Sequence, residues 1–192
     1  MKGATVSSNA VVQTFIQRVK IVLDEDGQTS QGLERMSDLM RWLIEHSDEV
    51  QSPEIPAGNI HDFRQSTPLY TDETGLTLAQ ASFGPDTITP IHNHWSWGVV
   101  GVYAGRDLHQ AWRRNDPGDG EGYADIELIE ERILEPGDVE VVPPPPQDIH
   151  AQQGYDGETA YEFVLFGKNV MELPRLYFDP ERKTAREVRL HG

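Results

Sequence analysis

The chain has 192 residues, of which 37% are hydrophobic, and its 32 acidic and 16 basic side chains give a formal net charge of −16. This length predicts a single domain, residues 1–192, with a core of ordinary size. The acidic balance argues against nucleic acid or a membrane surface as a partner, and the absence of cysteine excludes disulfides and thiolate-bound metals.

The first twenty residues lack the continuous apolar core of a signal peptide, and no stretch approaches the roughly 18 apolar residues that a membrane span requires. We therefore expect a cytoplasmic protein.

Two amphipathic helices are predicted in the first quarter of the chain. Apolar residues between Val11 and Leu23 follow the three-and-four spacing of one helix face, and the same spacing returns between Leu33 and Leu43. Charged residues and Gly27 separate the two runs. Residues 1–50 are therefore expected to form a helical N-terminal segment.

Beyond Pro53 the apolar period changes to two, in short runs separated by Gly, Pro, Asn and Asp. The predicted strands are Leu76–Phe83, Ser96–Tyr103, Asp107–Arg113, Ile126–Ile133, Asp138–Val142 and Ala160–Phe166. Many short strands with tight turns predict a mainly β sandwich, barrel or jelly roll. We place this barrel at about residues 66–170, followed by a C-terminal extension, 171–192.

Three histidines are the candidate metal ligands. His92 and His94 form an H-x-H pair before a β-prone run, and residues i and i+2 of a strand project from the same face. His150 follows a strand–turn–strand passage. A metal held by His92, His94 and His150 is favoured over unrelated roles for the three. His109, on the following strand, is either a residue that lines the cavity or a surface residue, and the surface role is favoured.

The residues around these histidines resemble those of a known family. The block Gly84 to Gly105 resembles the first cupin motif, and Gly137 through Pro143 to His150 resembles the second. The stretches TPIHNHWSWGVVGVYAG and DIHAQQG are similar to the cysteine dioxygenase type I (thiol dioxygenase) branch. The resemblance covers about Leu69 to Gly167 and implies a double-stranded β-helix, the cupin jelly roll, preceded by the two helices.

The resemblance also implies chemistry. Members of this branch bind Fe(II) with three histidines, and Gly98 stands where a typical cupin has a glutamate ligand. Such an enzyme would oxidise a small thiol, with thiol carboxylates among the candidates, to a sulfinate, incorporating both oxygen atoms of O2. It needs no organic cofactor. Its partners would be the small-molecule substrate and O2, and the sequence leaves the oligomeric state open.

The chain departs from this branch in three places. Without cysteine, the cysteine–tyrosine cross-link of some members cannot form. Glu162, Val164 and Phe166 occupy the places of a serine–histidine–tyrosine relay. Glu162 is then either an acid or base in the cavity or a solvent-facing residue of a strand shifted by one position.

The third departure is the arginine that holds the substrate carboxylate in this branch. Arg64 lies near the matching place but is offset by about three positions, and Arg106 and Arg113 lie beside the H-x-H region. A guanidinium would select a carboxylate. We take Arg64 as the candidate, although each of the three is more often a surface ion-pair residue.

Two alternatives to the thiol dioxygenase remain open. One is a three-histidine dioxygenase that cleaves carbon–carbon bonds of a substrate other than a thiol. The other is a cupin that binds a metal or small molecule without catalysis, because a fold does not fix a function.

Overall fold

The structure is a computed structural model that describes residues 7–50 and 66–189. The helices are α1 (Ala10–Asp26), α2 (Ser30–Glu45) and α3 (Ser47–Val50). The strands are β1 (Thr67–Thr71), β2 (Thr77–Phe83), β3 (Ile91–His92), β4 (Gly98–Ala104), β5 (Asp107–Arg114), β6 (Gly122–Tyr123), β7 (Ile126–Leu134), β8 (Val139–Val142), β9 (Ile149–Gly154), β10 (Ala160–Phe166), β11 (Arg175–Asp179) and β12 (Thr184–Val188). None of the described helices is long and apolar enough to cross a membrane.

The two long helices begin at side-chain caps. The Asn9 side chain accepts hydrogen bonds from the backbone N–H groups of Val11 and Val12, and Thr29 accepts one from Gly32. Each cap satisfies donors that the first helical turn leaves without an intrahelical partner. The predicted apolar faces are buried in a shared core, and both predicted helices are confirmed.

The strands form two antiparallel sheets. One has five strands in the order β1-β2-β10-β4-β8, and the other has seven in the order β6-β12-β11-β3-β9-β5-β7. Strands from both sheets line one cavity, which therefore lies between them. The prediction of a mainly β double-stranded β-helix preceded by two helices is confirmed.

Helix α2 packs closely on β4 of the five-stranded sheet. Gly101 permits this approach, because a Cβ atom at that position would come within 2.6 Å of Met40 Cγ and 2.9 Å of Ile44 Cδ1. These distances are shorter than van der Waals contact, so a side chain at residue 101 would push the helix away. The helices therefore cover the outside of this sheet and leave the cavity to the strands.

Strands β11 and β12 belong to the seven-stranded sheet. They lie within residues 171–192, which were predicted to form a C-terminal extension. β11 pairs with β12 on one side and with β3 on the other, placing Tyr177 opposite His92. β11 thus lies directly beside a strand that carries a candidate ligand.

Candidate metal centre

Two neighbouring strands of the seven-stranded sheet carry two of the three predicted ligands. His92 ends the two-residue strand β3, and it is the Cα partner of His150 on β9. The imidazole rings of these two residues lie 4.8 Å apart between centroids. The pairing of β3 with β9 therefore brings together residues that are far apart in the sequence.

His94 reaches the same point from a turn. The H-x-H spacing predicted that His92 and His94 project from one face of a strand, but β3 ends at His92. The backbone N–H of His94 donates to Asp148 Oδ2 at 2.9 Å, and Trp95 then adopts a left-handed conformation with φ of 55°. The turn and the buried Asp148 carboxylate thus direct His94, in place of strand alternation.

The three imidazoles have the arrangement of metal ligands. Their candidate ligand atoms all lie within 4.8 Å of one another, and His94 Nε2 is 2.8 Å from His150 Nε2. Metal–nitrogen bonds of about 2.0 to 2.1 Å at a right angle place two nitrogens about 2.9 Å apart. His92 Nδ1 lies 2.8 Å from the carbonyl oxygen of Pro90, which holds the proton there and leaves Nε2 unprotonated as a ligand. The residues present therefore fit a metal ion.

The surroundings of these histidines keep them neutral. Burial and the nearby positive charge of Arg175 lower the pKa of His92 to about 3. Burial is also the main cause that lowers the pKa of His94 and of His150 well below the ordinary value. Neutral imidazole is the form that binds a metal, so all three are available as ligands at pH 7.

The structure explains why no carboxylate joins this group through residue 98. A Cβ atom at Gly98 would lie 3.1 Å from two ring carbons of Phe166. The same ring stands 4.6 Å from the His94 ring between centroids. Phe166 therefore fills the space that a glutamate ligand would need. Among the described residues, the only group of three or more potential ligands is His92, His94 and His150.

A narrow cavity opens beside the three histidines. Its apolar wall includes Ala81, Phe83, Val164 and Phe166, so two of the three positions of the absent relay do line it. The volume of this cavity is about 30 Å³. A volume of that size admits only a small molecule.

Arg175 is the cationic residue of this cavity. It begins β11, lines the cavity and is only 3% exposed. Arg175 was not predicted from the sequence, because the candidate arginines were those near or upstream of the H-x-H motif. The available signal was a single arginine at the start of the apolar run Leu176–Phe178, in the part left as an extension.

The arginines named from the sequence lie elsewhere. Arg64 is outside the described residues, so its role stays a prediction. Arg106 forms ion pairs with Asp156 and Glu158, and Arg113 pairs with Glu127. Those two are surface ion-pair residues.

Glu162 is fully buried and points into the barrel, so of the two placements left open the solvent-facing one is wrong. It does not line the cavity itself. The cavity residue Gln152 stands against it, with Nε2 at 3.1 Å from Glu162 Oε2. The surface position favoured for His109 is also wrong, since that side chain is 4% exposed and its ring lies 5.3 Å from the ring of His150.

We expect Asp148→Ala to weaken metal binding by about 10- to 100-fold, because the carboxylate fixes the turn that presents His94. Competition with a fluorescent chelator would measure the affinity. Asp138→Ala is the matched control, since the Asp138 carboxylate also accepts a backbone N–H, from Glu135, but in an exposed turn between β7 and β8. Equal affinities of the two variants would contradict the role given to Asp148.

Glu162→Gln is expected to change how stability depends on pH. Burial, and next the negative charge of Asp107, raise the pKa of Glu162 well above the ordinary value of 4.5. The folded protein then binds a proton that the unfolded chain has released, so the free energy of unfolding falls as pH rises above about 4.5. This fall in the free energy of unfolding amounts to at most about 1.4 kcal/mol per pH unit, and it should be absent from the variant.

Urea unfolding between pH 5 and pH 8 would measure the effect. Glu158→Gln, which changes an exposed carboxylate that pairs with Arg106, is the control. Parallel pH profiles for the wild type and Glu162→Gln would show that Glu162 titrates normally.

The comparisons with known proteins show similarity in fold alone. No protein-family model matches the chain. An oxalate oxidase structure aligns over 62% of this chain and 59% of its own, with 23% identity and a TM-score of 0.44. A cupin-like protein from Thermotoga maritima aligns over 62% and 83%, with 20% identity and a TM-score of 0.40. An RmlC-like cupin family protein with a double-stranded β-helix fold, from Methanocaldococcus jannaschii, aligns over 62% and 89%, with 10% identity and a TM-score of 0.42.

The chain thus spans about three fifths of the length of the oxalate oxidase that it matches. Similarity at this level carries no argument about activity. The fold rests on the sheet topology, and the metal centre rests on the three converging imidazoles.

Proposed function

We propose that this protein is a three-histidine, Fe(II)-dependent dioxygenase that oxidises a small thiol to a sulfinate. The observation that carries the proposal is the convergence of three buried, neutral imidazoles. Among the residues that the structure describes, no carboxylate belongs to this group. Three neutral ligands leave the positive charge of a ferrous ion uncompensated and leave coordination positions open. An anionic sulfur ligand and dioxygen suit such a site.

The bound metal would lower the pKa of a coordinated thiol and hold it beside dioxygen. The overall reaction, R–SH + O2 giving R–SO2H, is balanced without any other reductant. The protein's own contribution is to bind and orient the substrate. The apolar wall formed by Phe83, Val164 and Phe166 keeps water away from it.

The presence of Arg175 in the cavity favours a substrate that carries an anionic group in addition to the sulfur. A guanidinium in a nearly dry cavity binds a carboxylate through charge-assisted hydrogen bonds. This local positive charge also opposes the net charge of −16, which would otherwise repel an anionic substrate. We therefore favour a thiol carboxylate, and the narrow cavity limits it to a few carbon atoms.

A second candidate keeps the metal and changes the substrate. Val164 and Phe166 line the cavity where thiol dioxygenases are expected to have a polar relay. An apolar wall at this place favours oxidative carbon–carbon cleavage of a β-dicarbonyl compound, whose enolate would replace the thiolate as the anionic ligand.

An oxygen-electrode screen would test both candidates. We expect protein reconstituted anaerobically with Fe(II) to consume dioxygen with at least one small thiol, and the sulfinate product to carry both atoms of ¹⁸O2. The Zn(II)-loaded protein is the matched control, because zinc occupies histidine sites but has no redox chemistry. Uptake with β-dicarbonyls alone would select the second candidate. Tight iron binding without uptake from either class would overturn both.

A further inference from the structure

Behind the cavity lies a pair of buried acidic side chains that the proposed reaction does not use. Asp107 on β5 and Glu162 on β10 are both 0% exposed. Within residues 7–50 and 66–189, neither forms an ion pair with lysine or arginine, and the nearest base is His109, whose Nδ1 is 3.6 Å from Asp107 Oδ2. Burial, and next the negative charge of Asp107, raise the pKa of Glu162 well above its ordinary value, so Glu162 is the member of the pair that keeps its proton.

The side-chain amide of Gln152 lies against both acids. Its Nε2 atom is 3.3 Å from Asp107 Oδ2 and 3.1 Å from Glu162 Oε2. The acidic side chains also hydrogen-bond to each other, which places the retained proton between them, so the oxygens that face Gln152 accept from its NH2 group. The backbone of Gln152 is fixed as well, by reciprocal hydrogen bonds of 2.9 Å with Thr89. The orientation of this amide is therefore determined.

The fixed orientation turns the other end of the amide, Oε1, away from the acids. Gln152 lines the cavity together with the three histidines and is itself only 3% exposed. Among the described residues, the hydrogen bonds of the Gln152 side chain all run through Nε2. The carbonyl oxygen is thus the end of this cavity-lining amide that the acids do not engage, and its acceptor capacity is available to a ligand.

We propose that Gln152 Oε1 is a substrate subsite that selects ligands carrying a hydroxyl or ammonium donor, in addition to the sulfur and the anionic group. Asp107 and Glu162 are positioning residues, because they hold the amide so that the carbonyl faces the ligand. A ligand without a donor leaves a buried acceptor unpaired, and this is the situation in which a polar site discriminates strongly.

The inference deepens the proposed function and rests on it for the kind of ligand used. It is tested by binding rather than turnover, with 3-mercaptopropanoate and 3-mercaptolactate, which differ by one hydroxyl group. A neutral hydroxyl isolates the hydrogen bond, since it adds no charge to be attracted by the acids. We expect the Fe(II)-loaded protein, titrated anaerobically in a calorimeter, to bind 3-mercaptolactate about tenfold more tightly.

Gln152→Met should remove this preference, because methionine has similar length and no strong acceptor. Gln153→Met is the matched control: the same change at the next residue of β9, whose side-chain amide donates to the Pro85 carbonyl oxygen, should keep the preference. Glu162→Gln should reduce it several-fold at unchanged iron affinity, because an amide at residue 162 can donate to Oε1 and allow the Gln152 amide to flip. The iron content is measured for every variant. If Gln152→Met loses iron, Gln152→Asn replaces it, because the shorter side chain moves the acceptor away from the ligand by one methylene.

Equal affinity of the wild type for the two ligands, or a preference that survives the change at Gln152, would overturn the subsite. A preference that depends on Gln152 in a protein that oxidises no thiol would contradict the proposed function and leave the subsite intact. The two failures are therefore distinguishable.

Discussion

Replacing His150 with alanine is expected to abolish both metal binding and oxygen uptake. The His150 Nε2 atom is one of three converging nitrogens. Its loss leaves two imidazole ligands, which hold a metal ion less firmly than three. Since outer-shell changes alone cost about 10- to 100-fold in metal affinity, removing a ligand should cost more. Iron content after anaerobic reconstitution and oxygen consumption would measure the two effects. His92→Ala should behave in the same way.

His46→Ala is the matched control for these variants. His46 follows helix α2, and its Nδ1 atom lies 2.8 Å from the carbonyl oxygen of Trp42, away from the cavity. It should keep both iron and activity. Full iron binding by His150→Ala would show that the three histidines are not the metal centre.

Arg175→Met is expected to weaken the binding of carboxylate-bearing thiols by about 10- to 100-fold, the range for a charge-assisted hydrogen bond lost in a dry site. Methionine keeps an unbranched side chain beside β3 and removes only the charge and the donors. The loss should appear in KM for a thiol carboxylate and should be small for the corresponding thiol amide. This difference between two ligands separates substrate binding from general damage to the fold.

Arg106→Met serves as the control for Arg175→Met. The Arg106 guanidinium pairs with Asp156 and Glu158 at the surface, so its removal should leave KM for both ligands unchanged. An equal loss of affinity for the carboxylate and the amide in Arg175→Met would contradict the assignment of Arg175 to the anionic group.

The sequence predicted the two long helices and six of the strands because their apolar periods are long enough to be recognised. It could not predict β3, which has two residues and is held only by its neighbours β9 and β11. Nor did local pattern show that β11 and β12 join the sheet, since strand partners are chosen by tertiary packing.

The same division holds for the candidate site. The three ligands could be predicted because their motifs are local. Asp148 stands two residues before His150 in the sequence, but its hydrogen bond with His94 depends on the fold. Arg175 and Gln152 could not be assigned, because their position at the cavity follows from the pairing of distant strands. Glu162 was singled out because it occupies one of the relay places in the family resemblance, but its contact with Asp107 and Gln152 depends on the packing of β5, β9 and β10.

The position of β3 between β9 and β11 also bears on the order in which the protein assembles. A chain leaving the ribosome presents His92 and His94 well before β9, and β11 emerges later still. Contacts between such distant segments form slowly, because the intervening chain must first be closed into a loop. We therefore expect the ligand set to be completed late in folding, with metal uptake following the closure of the barrel rather than nucleating it.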